Sequence, residues 1–349
     1  MPSAPAQQRS TAGAPSQAGA RVACFDWLRA CGCLAIVLLH VFVTLENASD
    51  PSQVDTARFV INRVLGIVLG RWAVPGFLMV TGALLLDPAK RVGKERLWRY
   101  IQRMLFVLGT FGLFFCLIES VVTHGGLSLA VVGEALHNLV TARSWDHLWY
   151  MYALLVVYCC VPGLRALVAR LDQRGLGLTI LVLAAVVFGG RTALLLAGHD
   201  LQLPLNAGAA LFYCLMGWYA WKYLRFNATW VALGVTSLAI VFAATRAGYP
   251  QICLPEYGLI APYGVLVFLA FVRFATTPMS QVPAVAALAD HSFGIYVIHP
   301  LFLHVLTRAA GPIMAIPVLY EALSFAIALG GSYIMVDLLR HIPIFASRI

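Results

Sequence analysis

Charge is what this sequence has least of. Asp, Glu, Lys and Arg together make up 11% of 349 residues, against about a quarter in an ordinary water-soluble domain. Acidic residues are the scarcer kind, 15 against 24 basic ones. Such a chain cannot cover a globule with solvated side chains, so a water-soluble fold is excluded. Cysteine spacings for zinc or for a disulfide framework are also missing. Of eight cysteines, Cys31, Cys33, Cys116, Cys159, Cys160 and Cys214 fall inside apolar stretches, where they act as small polarizable hydrophobes. No internal repeat emerges, and no polar stretch is long enough for a second domain. A cleaved leader is not expected, because the first apolar run begins late and cleavage would discard Asp26, Arg29 and His40.

What the chain has in excess is apolar residues, 61% of the total, with a mean hydropathy of +0.83. A helix that crosses a bilayer needs about 20 of them, since its backbone groups must be satisfied internally. Windows of that kind predict about ten transmembrane helices: residues 28–45, 59–86, 97–122, 147–168, 176–198, 205–224, 228–245, 258–275, 289–307 and 313–339. The second is long enough to tilt or to break at Pro75. The expectation is therefore an all-α, polytopic membrane bundle over residues 25–349, preceded by a disordered cytoplasmic tail over residues 1–24 that is rich in Pro, Ala, Ser, Gly and Gln.

Lys and Arg concentrate in alternate loops. One set carries Arg9, Arg21, Lys90, Arg91, Lys94, Arg96, Arg99, Arg165, Arg170, Arg174, Lys222, Arg225, Arg273, Arg340 and Arg348; the other carries only Arg58, Arg143, Arg246 and Arg308. Positive loops stay in the cytoplasm, which predicts both termini inside. The net charge of +9 reads the same way, as attraction to an anionic inner leaflet, and makes no case for nucleic acid.

Ionisable residues inside spans cost about 2.5 to 3.5 kcal/mol each on insertion scales, so the few present are candidates for function. Asp26 and Arg29 stand at the cytoplasmic mouth of the first helix, and His40 in its outer half. Eleven residues at 100° each return to within about 20° of one face, so Arg29 and His40 are expected to line one groove about 16 to 17 Å apart in depth. Arg71, Glu119, Arg191, Tyr296 and His299 are the other buried candidates, and His147, Trp149 and Tyr150 open the fourth span. Histidines from at least three helices thus gather at similar depth, and a neutral imidazole is the side chain suited to deprotonating a hydroxyl. Blander readings exist. Trp149 and Tyr150 suit an interfacial aromatic belt, Asp26 and Arg29 suit a helix-end ion pair, and the run from Lys90 to Arg99 suits a topology signal alone.

Phe25-Asp26-Trp27-Leu28-Arg29, followed ten residues later by His40, resembles the first-helix signature of the bacterial membrane O-acyltransferases known as acyltransferase family three. Further segments agree in order: residues 74–82 (Val-Pro-Gly-Phe-Leu-Met-Val-Thr-Gly), Arg96-Leu97-Trp98-Arg99, residues 147–152 (His-Leu-Trp-Tyr-Met-Tyr) and residues 292–300 (Ser-Phe-Gly-Ile-Tyr-Val-Ile-His-Pro). Thr81 stands where the family shows Ser, and Leu78 where a second Phe is common.

The resemblance implies transfer of an acetyl or other acyl group from cytoplasmic acetyl-CoA to a hydroxyl of an extracytoplasmic polysaccharide or lipid-linked sugar, by a stand-alone enzyme of the bacterial inner membrane, with no metal. On that reading His40, helped by His299, is the base. Arg29, Arg96 and Arg99 hold the donor phosphates, and Arg71 or Tyr296 stabilises the oxyanion. Asp26, His147, Trp149 and Tyr150 complete the substrate sites. Direct transfer and an acetyl-histidine intermediate both satisfy these residues. The rival class is a secondary transporter or flippase, which buried Arg and His also suit, although no paired interrupted helices mark the two halves.

Overall fold

The computed structural model describes residues 22–48, 56–143, 145–199, 206–278, 282–309 and 316–349. It is 84% helical, and no strand occurs among the described residues. In chain order the principal helices are α1 (Ala23–Ala48), α2 (Val60–Leu85), α3 (Lys94–His124), α4 (Leu129–Val140), α5 (Trp149–Arg170), α6 (Gln173–Leu196), α7 (Ala207–Tyr223), α8 (Ala228–Arg246), α9 (Ala261–Phe274), α10 (Pro283–Ala309) and α11 (Pro317–Arg340). The tail expected before residue 25 lies outside the described residues as far as residue 21, and α1 already begins at Ala23.

Eight of these helices are long and apolar enough to cross a membrane. They coincide with eight of the ten expected spans. The other two are α7, of 17 residues, and α9, of 14. At 1.5 Å per residue they reach about 25 and 21 Å, short of the roughly 30 Å hydrocarbon layer. The reason lies in their surroundings. α7 is buried along most of its length, from Ala209 to Ala220, so protein rather than lipid tails covers it. Thus it can end on Trp218, Tyr219, Trp221 and Lys222.

The second span does break. Its helix passes through a π-helical turn at Gly66–Gly70 and a turn at Arg71 and Trp72 before resuming at Ala73. The opening falls one turn ahead of Pro75, because a proline ring crowds the carbonyl four residues earlier, here that of Arg71. Other ends are set by short polar side chains. The Asp172 carboxylate accepts from the Gly175 N–H at 2.8 Å, and the Asn227 side-chain oxygen from the Trp230 N–H at 3.1 Å, which starts α6 and α8.

α1 runs through the middle of the bundle, against α2, α9, α10 and α11. The closest crossing is between α2 and α7. A Cβ added at Gly82 would lie 1.7 Å from the Cys214 carbonyl oxygen, and one added at Gly217 would lie 2.1 Å from that of Met79. Two backbones meet there with nothing between them, which is how helices associate where no hydrophobic drive exists. At the basic end of the bundle the Arg165 guanidinium donates to the carbonyls of Leu85, Asp87 and Lys90 at 2.6 to 2.8 Å. It closes the open end of α2, where helix carbonyls lack intrahelical donors.

Candidate active site

Three imidazoles meet at the centre of the bundle. His40 comes from α1, His299 from α10, and His147 from a short 3-10 turn, Asp146–Leu148, that leads into α5. The His40 and His299 rings are stacked with centroids 4.9 Å apart, and His147 lies 6.4 and 5.9 Å from them. His299 has 0% exposure and His147 4%, whereas His40 is half-buried.

Hydrogen bonds fix where the protons sit in the neutral rings. His299 Nδ1 lies 2.9 Å from the Ile295 carbonyl, which can only accept, so Nδ1 carries the proton and Nε2 is bare. His40 Nδ1 lies 2.6 Å from that bare Nε2 and must therefore be the donor. The remaining nitrogen of His40, Nε2, is left with its lone pair. His147 is held by α10 in both directions: its Nε2 donates to the Val297 carbonyl at 3.1 Å, and the Tyr296 hydroxyl donates to the His147 carbonyl.

Two cavities approach this cluster from opposite ends. The one at the basic end, of about 370 Å³, is lined by Arg29, Arg96, Tyr100, Arg103, Tyr150, Tyr158 and Tyr296, among others. Arg29 pairs with the buried Asp26 at 3.2 Å. Arg96 Nε donates to the Tyr100 hydroxyl at 2.8 Å, and Arg103 lies 4.1 Å over the Phe293 ring. The other cavity, of about 1430 Å³, takes in His40, His147 and Trp149, with Glu119, Arg143, Arg191, Gln251, Glu256, Tyr257 and Arg308 around it. No residue lines both.

The single groove expected from Arg29 to His40 is therefore not what the structure contains. The two residues do share a helix, but they open into different cavities. A layer of Tyr150, Tyr296 and His147 stands between, with the Tyr150 and Tyr296 rings 5.3 Å apart and those of Tyr296 and His147 5.8 Å apart. Helical phase alone could not show this, because the layer belongs to α5, the turn that leads into it and α10. Trp149 and Tyr150, adjacent in sequence, line opposite cavities.

The expected residues divide accordingly. Arg29, Arg96, Tyr150 and Tyr296 line the basic-end cavity; His40, His147 and Trp149 line the other; His299 is buried behind His40, and Asp26 is buried against Arg29. Arg71 lines neither, but it is near enough for its charge to act on His40, and its Nε is buried without an acceptor. Arg99 is exposed and apart from both cavities. The residue that lines the basic-end cavity in its place is Arg103, seven positions after Arg96 and so on the same helix face, while Arg99 points about 60° away. That spacing was the available signal. For Gln251, Glu256 and Tyr257 there was none, since they come from 3-10 turns between α8 and α9 that have no periodicity to read.

Comparison with curated proteins and with solved structures returned no match. The family model described as an acyltransferase domain, that of acyltransferase family three, matches residues 22–337. This covers α1 to α10 and nearly all of α11, and with them every residue of the histidine cluster and both cavities. The chain belongs to acyltransferase family three and is a multi-pass membrane acyltransferase.

Proposed function

We propose that the protein moves an acetyl or similar acyl group from acyl-CoA, held at the basic end of the bundle, to a hydroxyl of a glycan or lipid-linked sugar held in the larger cavity. By the positive-inside rule the basic end faces the cytoplasm, with both chain ends on that side of a bacterial inner membrane and the acceptor on the other. Arg29, Arg96 and Arg103 present guanidinium groups to a polyanionic donor, a role for which their planar fork is well shaped.

The observation that carries the reading is the proton arrangement of the histidine pair. With its Nδ1–H committed to His299, His40 offers the bare Nε2 on the side of the larger cavity. There it takes the hydroxyl proton as the acceptor oxygen attacks the thioester carbonyl. The tetrahedral intermediate then collapses: the carbon–sulfur bond breaks, the ester bond remains, and the proton held by His40 passes to the departing thiolate. Arg71 is better placed than Tyr296 to balance the oxyanion, because the Tyr296 hydroxyl is committed to the His147 carbonyl.

The test is His40→Gln in nanodiscs with labelled acetyl-CoA and isolated surface glycans. Transfer should fall by about 10²- to 10⁴-fold, while CoA still raises the thermal midpoint as it does for wild type. Substantial acetylation by the variant would end the assignment. A wild-type protein with no thermal response to CoA would favour transport instead.

A further inference from the structure

The end of the bundle away from the basic loops is poor in cations, with Arg58, Arg143, Arg246 and Arg308 as its complement in the loops. Two of those four, Arg143 and Arg308, line one cavity, the cavity that contains His40. A third guanidinium, Arg191, joins them from within α6. These residues come from three distant parts of the chain. Their convergence is not a by-product of one charged loop.

Arg191 is the informative member. An arginine inside a span costs several kcal/mol unless something compensates it. Its Nη1 donates to the Asn206 side-chain oxygen at 2.9 Å, and its guanidinium carbon lies 4.9 Å over the Tyr257 ring. Both partners are neutral, so neither cancels its charge. Its Nε is buried with no acceptor. Arg143 and Arg308 are exposed, and none of the three is in an ion pair among the described residues. Glu119 and Glu256 line the cavity too, and each has an interaction of its own.

We propose that the acceptor bound in this cavity is anionic, a sugar carrying a carboxylate or a phosphate, with Arg191 binding the anionic group and Arg143 and Arg308 drawing it in from the rim. This rests on the reading of the larger cavity as the acceptor site. It adds what that reading leaves open, the chemical class of the acceptor. A guanidinium beside an aromatic face, with no ion-pair partner and one unused donor among the described residues, is the arrangement that an oxyanion on a sugar ring completes. Cations at the rim raise the local concentration of such a ligand. Arginines that served to anchor the protein to lipid headgroups would face outward rather than line a cavity.

Two matched pairs of probes test it, by calorimetry on the protein in nanodiscs without acyl-CoA. The first pair is a glucuronic acid trisaccharide and its neutral glucose counterpart. The second is farnesyl phosphoryl glucose and uncharged farnesyl glucoside. The charged member of one pair should bind about tenfold tighter than its neutral twin, as a charge-assisted hydrogen bond to a buried donor implies, and the responding pair identifies carboxylate or phosphate. Arg191→Gln should bring the charged probe to the neutral level, and Arg191→Lys should keep part of the difference. Equal affinities within both pairs for wild type overturn the proposal. So does a preference that survives in Arg191→Gln. Binding is read here without turnover, so a protein that fails the His40→Gln transfer test can still pass this one, and the two failures are told apart.

Discussion

Replacing His299 by Phe keeps a flat ring of similar size at a site with 0% exposure; it removes the bond to the Ile295 carbonyl, which has the helix ladder as well, and the acceptor that His40 Nδ1–H uses at 2.6 Å. A buried N–H without a partner costs about 1 to 3 kcal/mol. His40 can avoid that cost by carrying its proton on Nε2, which has the larger cavity beside it, but then it has no lone pair for the acceptor hydroxyl. At 1.4 kcal/mol per tenfold, the base-competent tautomer should become scarcer by a factor of about 5 to 150. The value of kcat should fall by that factor, within the roughly 10²- to 10⁴-fold ceiling for loss of a base. The KM for acyl-CoA should not change, because the donor cavity shares no residue with His299. Single-turnover transfer in nanodiscs measures the first quantity and an acyl-CoA titration the second. The decisive comparison is with the double variant that also carries His40→Gln. If His299 acts only through His40, the double variant should be no slower than His40→Gln alone. Losses that multiply would refute the proton arrangement.

Two further outcomes follow from the fold and the donor cavity. Arg96→Ala and Arg103→Ala should each raise the acyl-CoA KM several-fold with kcat little changed, whereas Arg99→Ala should leave both alone; a rise for Arg99→Ala and none for Arg103→Ala would restore the simpler reading of the basic run. Gly82→Ala and Gly217→Ala place a Cβ 1.7 and 2.1 Å from carbonyl oxygens and should cost more than the roughly 1 to 3 kcal/mol typical of overpacking. Gly163→Ala, in α5 with nothing within 4 Å, should instead gain about 0.5 to 1 kcal/mol. Thermal unfolding in detergent ranks the three.

Much of this architecture was legible in the hydropathy of the chain, because a helix that faces lipid must be apolar on its own. That rule located all ten helical stretches, eight of them long and apolar enough to cross a membrane; α7 and α9 are shorter, and for α7, which its neighbours bury along most of its length, lipid sets neither length nor polarity. The histidine cluster was legible in part. The spacing from Arg29 to His40 and the Tyr296–His299 pair placed the right side chains at a common depth, but distance along a helix says nothing about what other helices put between two residues. The Tyr296 to His147 bond joins positions 149 residues apart, and it is this bond that divides the expected groove in two. Arg103 could have been found from the face it shares with Arg96. The arginines of the larger cavity could not, since Arg143, Arg191 and Arg308 have no mutual spacing and read singly as scattered loop charges or as one costly buried cation.

The layer of Tyr150, Tyr296 and His147 also bears on the electrical integrity of the membrane. A bilayer holding 100 mV places about 2.3 kcal/mol on every elementary charge that crosses it. A water-filled groove from Arg29 to His40, lined with imidazole and guanidinium, would conduct protons down that gradient in every copy of the protein. The three rings stand across the path that such a column would take. On the proposed reading the nucleotide and its phosphates remain on one side and the acceptor and any charge it bears remain on the other, while the acyl group passes outward from the thioester and the hydroxyl proton passes through His40 to the departing thiolate. The exchange of an acyl group for a proton carries no net charge, so the reaction draws on the thioester and leaves the membrane potential unspent.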